Sequence, residues 1–322
     1  MKKIAFIIPY FGRFNNYFPL FLKSCAHNPD CDWLIFTDDR RAFSCPPNVI
    51  IHYMSFAEMQ AMVQSKFDFP IALERPYKLC DFKPAYGYIF EEYLTGYTAW
   101  GHCDTDLIFG RIRDFISEQD IRDYDKIGIF GHCTVFRNDE ENNRIFLQPL
   151  NGHSRYREVY TDRKNHSFDE EFKDSINTIF ESCGKRIRTT EYQANIYTKS
   201  SDFRLTSWDP VERCYHNEKL KRAIFVWDDG ILSRYWIERG ELQKQEYLYI
   251  HMQARPMDVR LEKMENVQRF KIIPNTFEAL EVEEISMDNF AHIRSKYFNL
   301  HYFRLRSKNL WVKIKKKIGL AY

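Results

Sequence analysis

The stretch Tyr97–Gly110, YTAWGHCDTDLIFG, decides how this chain reads. An apolar, aromatic run stops at Asp104-Thr105-Asp106, and a second apolar run follows. That pattern predicts a buried strand delivering two carboxylates to a sheet edge. Carboxylates one residue apart repel each other unless a cation lies near them. A hard divalent ion with oxygen ligands, Mg²⁺ or Mn²⁺, answers that need and keeps coordination places for substrate phosphates. The stretch points to metal-assisted chemistry on a phosphate-bearing substrate.

D-x-D by itself says little, since it occurs three times in the chain. Asp30 and Asp32 follow Asn28-Pro29 and precede WLIF, so they read as a turn. Asp123 and Asp125 flank Tyr124 ahead of KIGIF and read the same way. Only Asp104 and Asp106 follow an apolar strand, at the carboxyl edge where open α/β sheets bind ligands.

Upstream of the pair the pattern alternates β and α. Ile4–Ile8 is apolar throughout and predicts a central strand. Phe18–Ala26 has helical spacing, Trp33–Thr37 and Val49–His52 read as strands, and Ser55 with Glu58 forms a capping box for a helix over Ala57–Lys66. Pro70–Pro76 reads as a linker, and Ala85–Leu94 as a helix after the break at Pro84. This alternation predicts an open parallel sheet with nucleotide-sized ligands at its strand ends.

Downstream the pattern loosens. Asp114–Glu118 and Arg137–Leu147 read as helices, Lys126–Phe130 as a strand, and Asn151–His166 as irregular. A helix is expected from Ser167–Asp169 through Cys183. Strands are expected near Arg188–Thr190, Ile196–Tyr197, Ala223–Trp227 and Tyr247–Ile250, the last ending in His251. The expected division is one catalytic domain over 1–285 and an appended tail over 286–322.

With 322 residues, 44% hydrophobic and 29% charged, the chain suits a folded protein with a sizeable core. No apolar run reaches the roughly 18 residues of a membrane-spanning helix. Lys2-Lys3 and Ile4–Ile8 begin like a signal peptide, but Pro9 and Gly12-Arg13 end the run too soon, so a cytoplasmic location is expected. The eight cysteines include no C-x-x-C pair and no zinc-type spacing, so they read as reduced thiols. The repeated GHC at 101–103 and 131–133 reads as small buried residues at strand ends.

Charge is unevenly placed. Nine Lys and Arg fall between Arg294 and Lys317, with no acidic residue after Asp288, leaving 38 basic against 45 acidic side chains elsewhere. An acidic body with a cationic tail calls for an anionic partner. The tail YFNLHYFRLRSKNLWVKIKKKIGL mixes aromatics, leucines and lysines at roughly helical spacing, as a segment lying in an anionic membrane interface does. No nucleic-acid recognition motif is present.

Five segments in order, IAFIIPYFGR at 4–13, WLIFTDD at 33–39, YKLCDFKPAYGYIF at 77–90, WGHCDTDLIFG at 100–110 and YLYIHMQARP at 247–256, resemble the metal-dependent sugar transferases of the GT-A fold. They are most similar to the small bacterial enzymes that build capsule and lipopolysaccharide chains. The resemblance implies a Rossmann-like open mixed sheet flanked by helices, a nucleotide-sugar donor (UDP-linked by preference), Mn²⁺ or Mg²⁺, and a glycan or lipid-linked saccharide acceptor at the inner-membrane surface. It implies Asp106 as a direct metal ligand, Asp104 on metal or ribose, and His251 completing the metal site. Pro9, Tyr10 and Phe11 would meet the nucleotide, Thr37 and Asp38 would read the base, and Lys78, Asp81 and Lys83 would border the donor. Arg137 and Asn138 resemble an acceptor-side segment.

An inverting transferase needs a carboxylate to deprotonate the acceptor hydroxyl. Asp169 and Glu170, in HSFDEE at 166–171, occupy the region where the family often keeps that base; Asp169 could equally be a helix N-cap. Asp228 and Asp229 after AIFVW are the next candidates, and a retaining enzyme would need no such base. Two other functions compete: a metal-dependent phosphohydrolase, and a non-catalytic module docking on anionic membranes through its tail.

Overall fold

The structure, a computed structural model, describes residues 4–170, 173–189, 192–209, 211–264, 266–294 and 299–317. The chain divides into two compact units, Met1–Glu191 and Tyr192–Tyr322.

The first unit runs β1 (Ile4–Pro9), α1 (Phe18–Ala26), β2 (Cys31–Thr37), β3 (Val49–Tyr53), α2 (Phe56–Gln64), α3 (Leu79–Phe82), α4 (Tyr86–Ile89), β4 (Ala99–Cys103) and β5 (Leu107–Phe109). It continues through α5 (Glu118–Asp123), β6 (Lys126–Phe130), β7 (Cys133–Arg137), α6 (Glu140–Arg144), α7 (Arg155–Thr161), α8 (Ile176–Ser182) and β8 (Ile187–Arg188). Seven strands form one sheet in the order β3-β2-β1-β4-β7-β6-β8. The first four are parallel, and β7 runs antiparallel to both β4 and β6. This is the open mixed sheet flanked by helices that the resemblance implies.

Burial explains the apolar first strand. Ala5 and Ile7 share a core cluster with Leu34, Phe36, Phe82 and Phe136. On the alternate positions, Phe6 stacks on Trp33 with ring centroids 5.5 Å apart and meets Phe109 at 5.9 Å. Side chains alternate across a strand, so β1 is covered on both faces and needs apolar residues at every position. α1 starts where Pro19 presets the first turn, and its Phe21 meets Phe109 at 6.1 Å. The Ser55–Glu58 capping box forms as expected.

Strand order places the ligand crevice. The chain leaves β1 toward β2 and β3 on one side, then returns to β4 on the other. Such a reversal opens a crevice outside the carboxyl ends of the two strands, here Tyr10 after β1 and Asp104 after β4. Because β7 is antiparallel to β4, pairing Cys103 with Cys133, the two-residue turn Gly131-His132 returns to the same edge.

Several local expectations are corrected. The helix expected over Ala85–Leu94 is not continuous: α4 covers Tyr86–Ile89 and a 3₁₀ turn covers Glu91–Leu94, while Pro84 lies in the 3₁₀ turn Lys83–Ala85. Asp32 belongs to β2 rather than a turn, and it accepts from Tyr97 Oη at 2.6 Å. Arg137 ends β7 and Asp139 caps α6, so the 137–147 helix is shorter than its spacing suggests. The stretch expected at Asp114–Glu118 is one 3₁₀ turn over Ile112–Asp114, with α5 beginning at Glu118. Residues 151–166 contain α7. The helix expected from Ser167 begins only at Ile176, capped by Ser175, so Asp169 is not its N-cap. Thr190, Glu171 and parts of the tail (295–298 and 318–322) lie outside the described residues.

The second unit holds β9 (Gln193–Asn195), β10 (Thr206–Asp209), β11 (Cys214–Asn217), β12 (Ile224–Asp228), β13 (Ile231–Glu238), β14 (Glu241–Glu246), β15 (Tyr249–His251), β16 (Asp258–Arg260), β17 (Arg269–Ile273) and β18 (Thr276–Ala279). α9 (Met287–Arg294) and α10 (His301–Lys317) follow. β14-β13-β12-β17-β18-β16 make one sheet, β10 and β11 a separate ribbon, and β9 pairs with β15 in parallel. Ile224, Val226 and Ile273 pack with Ile285 and with Phe290 and Ile293 of α9. All eight cysteines are free thiols.

Candidate functional site

The central feature of the first unit's carboxyl edge is a buried lysine. Lys83 sits in the 3₁₀ turn Lys83–Ala85, where Pro84 interrupts the helix and the chain bends. Its Nζ donates to Asp104 Oδ1 at 2.9 Å and to the Gly131 carbonyl at 2.6 Å, and lies 3.6 Å from Asp169 Oδ2. Burial works against the ammonium, but Asp104 and Asp169 outweigh it and hold Lys83 well above its usual range. Behind it, His102 is kept neutral by burial, with Lys83 and Lys126 adding to the effect.

Asp169 is the second feature. Burial pushes its carboxyl up to about 7, against the pull of Lys83 and with help from Glu170 and Asp104. The neighbouring backbone admits it only because residue 131 is glycine: a Cβ there would lie 2.2 Å from Asp169 Oδ2. Glu170 Oε2 accepts from the Gly131 amide at 3.3 Å. One turn of chain thus touches Lys83, Asp169 and Glu170, and Lys83 links it to Asp104.

Asp106 follows, in the turn that leads into β5. Its field reaches Tyr10 and Tyr17, whose phenols are raised first by burial and then by that carboxylate. Tyr10 is fixed by its amide on Phe36 O at 2.8 Å, by Oη on Arg13 O at 3.0 Å, and by stacking on Phe14 at 4.6 Å. Phe11 packs edge-on against Phe56 at 5.3 Å. Pro9 closes β1.

The second-strand residues hold that loop. Asp38 Oδ1 accepts from the Gly12 amide at 2.7 Å, and Thr37 Oγ1 from the Asp39 amide at 3.1 Å. Asp39, buried and bonded to Arg41, also accepts from the Phe14 amide at 3.0 Å. The Arg41 guanidinium holds it well below the usual carboxylate range.

Lys78 and Asp81 do different work from Lys83. Both are buried, 2.8 Å apart; Lys78 also donates to the Val159 and Lys164 carbonyls, and Asp81 accepts from the amides of His166 and Phe168. The pair latches the segment that carries Asp169. Arg137 likewise pairs with Asp125 and Asp139, and Asn138 donates to the Leu94 and Tyr97 carbonyls.

Two candidates lie in the second unit. His251 ends β15, buried, with Nδ1 3.2 Å from Asn195 Oδ1. An Nδ1–H donated there makes Nε2 the lone-pair nitrogen. Asp229, at φ 46°, and Gly230, at φ 87°, form the two-residue turn between β12 and β13, the usual role of Asp-Gly in a hairpin. Sequence reasoning missed Tyr17 and Asp39 with Arg41, and read Gly131, in the second GHC, only as a small buried residue; Asp39 carried a signal as the second acid of TDD.

The sequence profile of a family of unknown function (DUF6625) matches residues 6–281. No match is found among curated proteins. Among solved structures, mouse xyloside xylosyltransferase 1 in its apo form is similar at 10% identity, covering 61% of this chain and 88% of that chain, with a TM-score of 0.36. The galactosyltransferase LgtC in complex with donor and acceptor sugar analogues is similar at 10% identity, covering 60% of this chain and 75% of that chain, with a TM-score of 0.33.

Proposed function

We propose that this chain, which belongs to the DUF6625 family through residues 6–281, is a metal-dependent glycosyltransferase of the GT-A type. It moves a sugar from a nucleotide-diphosphate sugar, UDP-linked by preference, to a hydroxyl of a glycan or lipid-linked saccharide in cell-surface polysaccharide synthesis. The observation that carries this reading is the Asp104–Lys83–Asp169 constellation beside Asp106, at the edge of the strand-order reversal.

The donor set fits a hard divalent ion: two half-exposed carboxylates on a short turn, all oxygen, next to a loop that can meet a nucleotide. Asp106 would hold it directly, and Asp104 would share it or bind ribose. Mn²⁺ or Mg²⁺ held there would neutralise the diphosphate leaving group.

The chain's own residues supply the rest. Tyr10 and Phe11 line the nucleotide, while Thr37 and Asp38 keep their loop in place. Lys83 Nζ donates to Asp104 Oδ1 and orients that carboxylate. Asp169, poised about 7, takes the proton from the acceptor hydroxyl as it attacks C1, with Glu170 beside it. Asp81 and Lys78 position Asp169 through the 159–168 segment rather than touching the donor, and Asp229 serves the hairpin. The second-unit helix α10 presents Phe303, Leu310 and Trp311, all exposed, among lysines and arginines, which suits peripheral contact with an anionic membrane. No helix among the described residues is long and apolar enough to cross a membrane.

The test is a thermal-shift panel of UDP, GDP, CMP and ADP with and without Mn²⁺. A ligand at a hundredfold excess over its dissociation constant stabilises by about 2.7 kcal/mol. A shift for one nucleotide that requires Mn²⁺, lost in Asp106→Ala, is the expected result. No shift with any nucleotide would reject the reading in favour of a docking module. Phosphate release without an acceptor would favour a phosphohydrolase.

A further inference from the structure

A second group of metal-type donors lies on the β10–β11 ribbon, within eight residues of chain. Asp209 pairs across the ribbon with Cys214, and Ser207 with His216, so Asp209, Cys214 and His216 share one face. Glu212 reaches the same face from the turn. Cys214 Sγ lies 3.2 Å from His216 Nε2 and 3.7 Å from Glu212 Oε2. His216 Nε2 lies 3.1 Å from Glu212 Oε2 and 3.7 Å from Asp209 Oδ2. Zinc bonds of about 2.3 Å to sulfur and about 2.0–2.1 Å to nitrogen and oxygen, at tetrahedral angles, separate ligand atoms by roughly 3.4–3.6 Å. The spacings among Glu212, Cys214 and His216, 3.1–3.7 Å, bracket that range.

The carboxylate at the ribbon's end is oriented from behind. Asp209 Oδ1 accepts the amides of Val211 at 2.8 Å and Glu212 at 2.9 Å, leaving Oδ2 toward His216. Backbone support of this kind fixes the carboxylate's direction. The ribbon is also in need of a clip: among the described residues it is a two-stranded sheet of four residues a strand, and such hairpins are marginal in water.

We propose that Glu212, Cys214 and His216 form a structural zinc site that ties the turn of this ribbon to β11, with Asp209 beside it on the same face. Thiolate and imidazole select a borderline ion, in contrast to the all-oxygen Asp104/Asp106 pair, so the two sites take different metals. Binding deprotonates Cys214, and its proton passes to solvent as the sulfur–metal bond forms. Sequence spacing hid the site because E-x-C-x-H matches none of the usual zinc patterns.

Metal-free full-length protein titrated with Co²⁺ reports the site through thiolate-to-cobalt charge-transfer absorption. The expected result is one equivalent of Co²⁺ giving that band, displaced by Zn²⁺, absent in Cys214→Ser, and weakened at least tenfold in His216→Ala. Asp106→Ala should leave the band unchanged, which separates this site from the one above. No thiolate band in the parent protein, a band that survives Cys214→Ser, or undiminished affinity in His216→Ala would each overturn the proposal, leaving a hydrogen-bonded Glu–His–Cys cluster without an ion.

Discussion

At the scale of single residues, two buried ionisable groups set how the molecule responds to pH. Asp169 titrates about 7 in the fold, against 3.8 for an ordinary aspartate. Between those values the folded chain keeps a proton that the unfolded chain has released, so stability falls as pH rises from about 4 to 7. Lys126 works in the next window. Burial lowers it to about 7 from 10.5, and its Nζ is held by Asn177 Oδ1 at 2.7 Å and Gly128 O at 2.6 Å. There the unfolded chain holds the extra proton, so stability rises from about 7 toward 10.5. In metal-free protein we expect the denaturation midpoint of the parent minus that of Asp169→Asn to shrink from pH 4 to 7 and then level off. A difference that ignores pH would remove Asp169 from the list of perturbed groups.

At the scale of elements, the Lys78–Asp81 pair fastens the turn after α7 to the start of α3. Asp81→Asn leaves a buried ammonium without its counter-charge, and breaking such a pair costs about 3–5 kcal/mol. Urea denaturation should show a loss of that order; a loss below about 1 kcal/mol would mean that Lys78 finds other partners. This is also where the sequence reading stopped. Residues whose job is set by local rules were legible: the all-apolar β1, the strand ending at Asp104, and the Ser55 cap follow from periodicity and turn chemistry. Lys83, Asp104 and Asp169 were each singled out, but nothing in their spacing said that one lysine joins the other two. Lys78 and Asp81, three residues apart, looked like Lys83's companions, yet burial turns them toward the chain's own backbone. Helix limits failed where tertiary contacts overrode spacing, as in 85–94 and 167–170.

At the scale of the whole molecule, the basic tail is two pieces with different duties. Phe290 and Ile293 of α9 belong to the second unit's core, whereas α10 is anchored near its start by His301 Nε2 on Thr198 O at 2.9 Å and Asn299 on Ser201 O at 3.1 Å. A deletion beginning at residue 290 would open that core, so the informative cut falls after Phe303. The truncated protein should keep its thermal transition and its turnover of a soluble acceptor while losing sedimentation with anionic vesicles. Undiminished vesicle binding would dissociate the tail from membranes.

The shortness of the Gly131-His132 turn also bears on how the protein can be handled. With Asp169 against one side and Lys83 against the other, this turn has no slack for an inserted residue. The Arg239-Gly240 turn between β13 and β14 is exposed, and a Cβ at Gly240 would meet nothing within 4 Å. An affinity tag or fluorophore is therefore tolerated at 239–240, and insertion scanning should find its most intolerant address two residues before the start of β7.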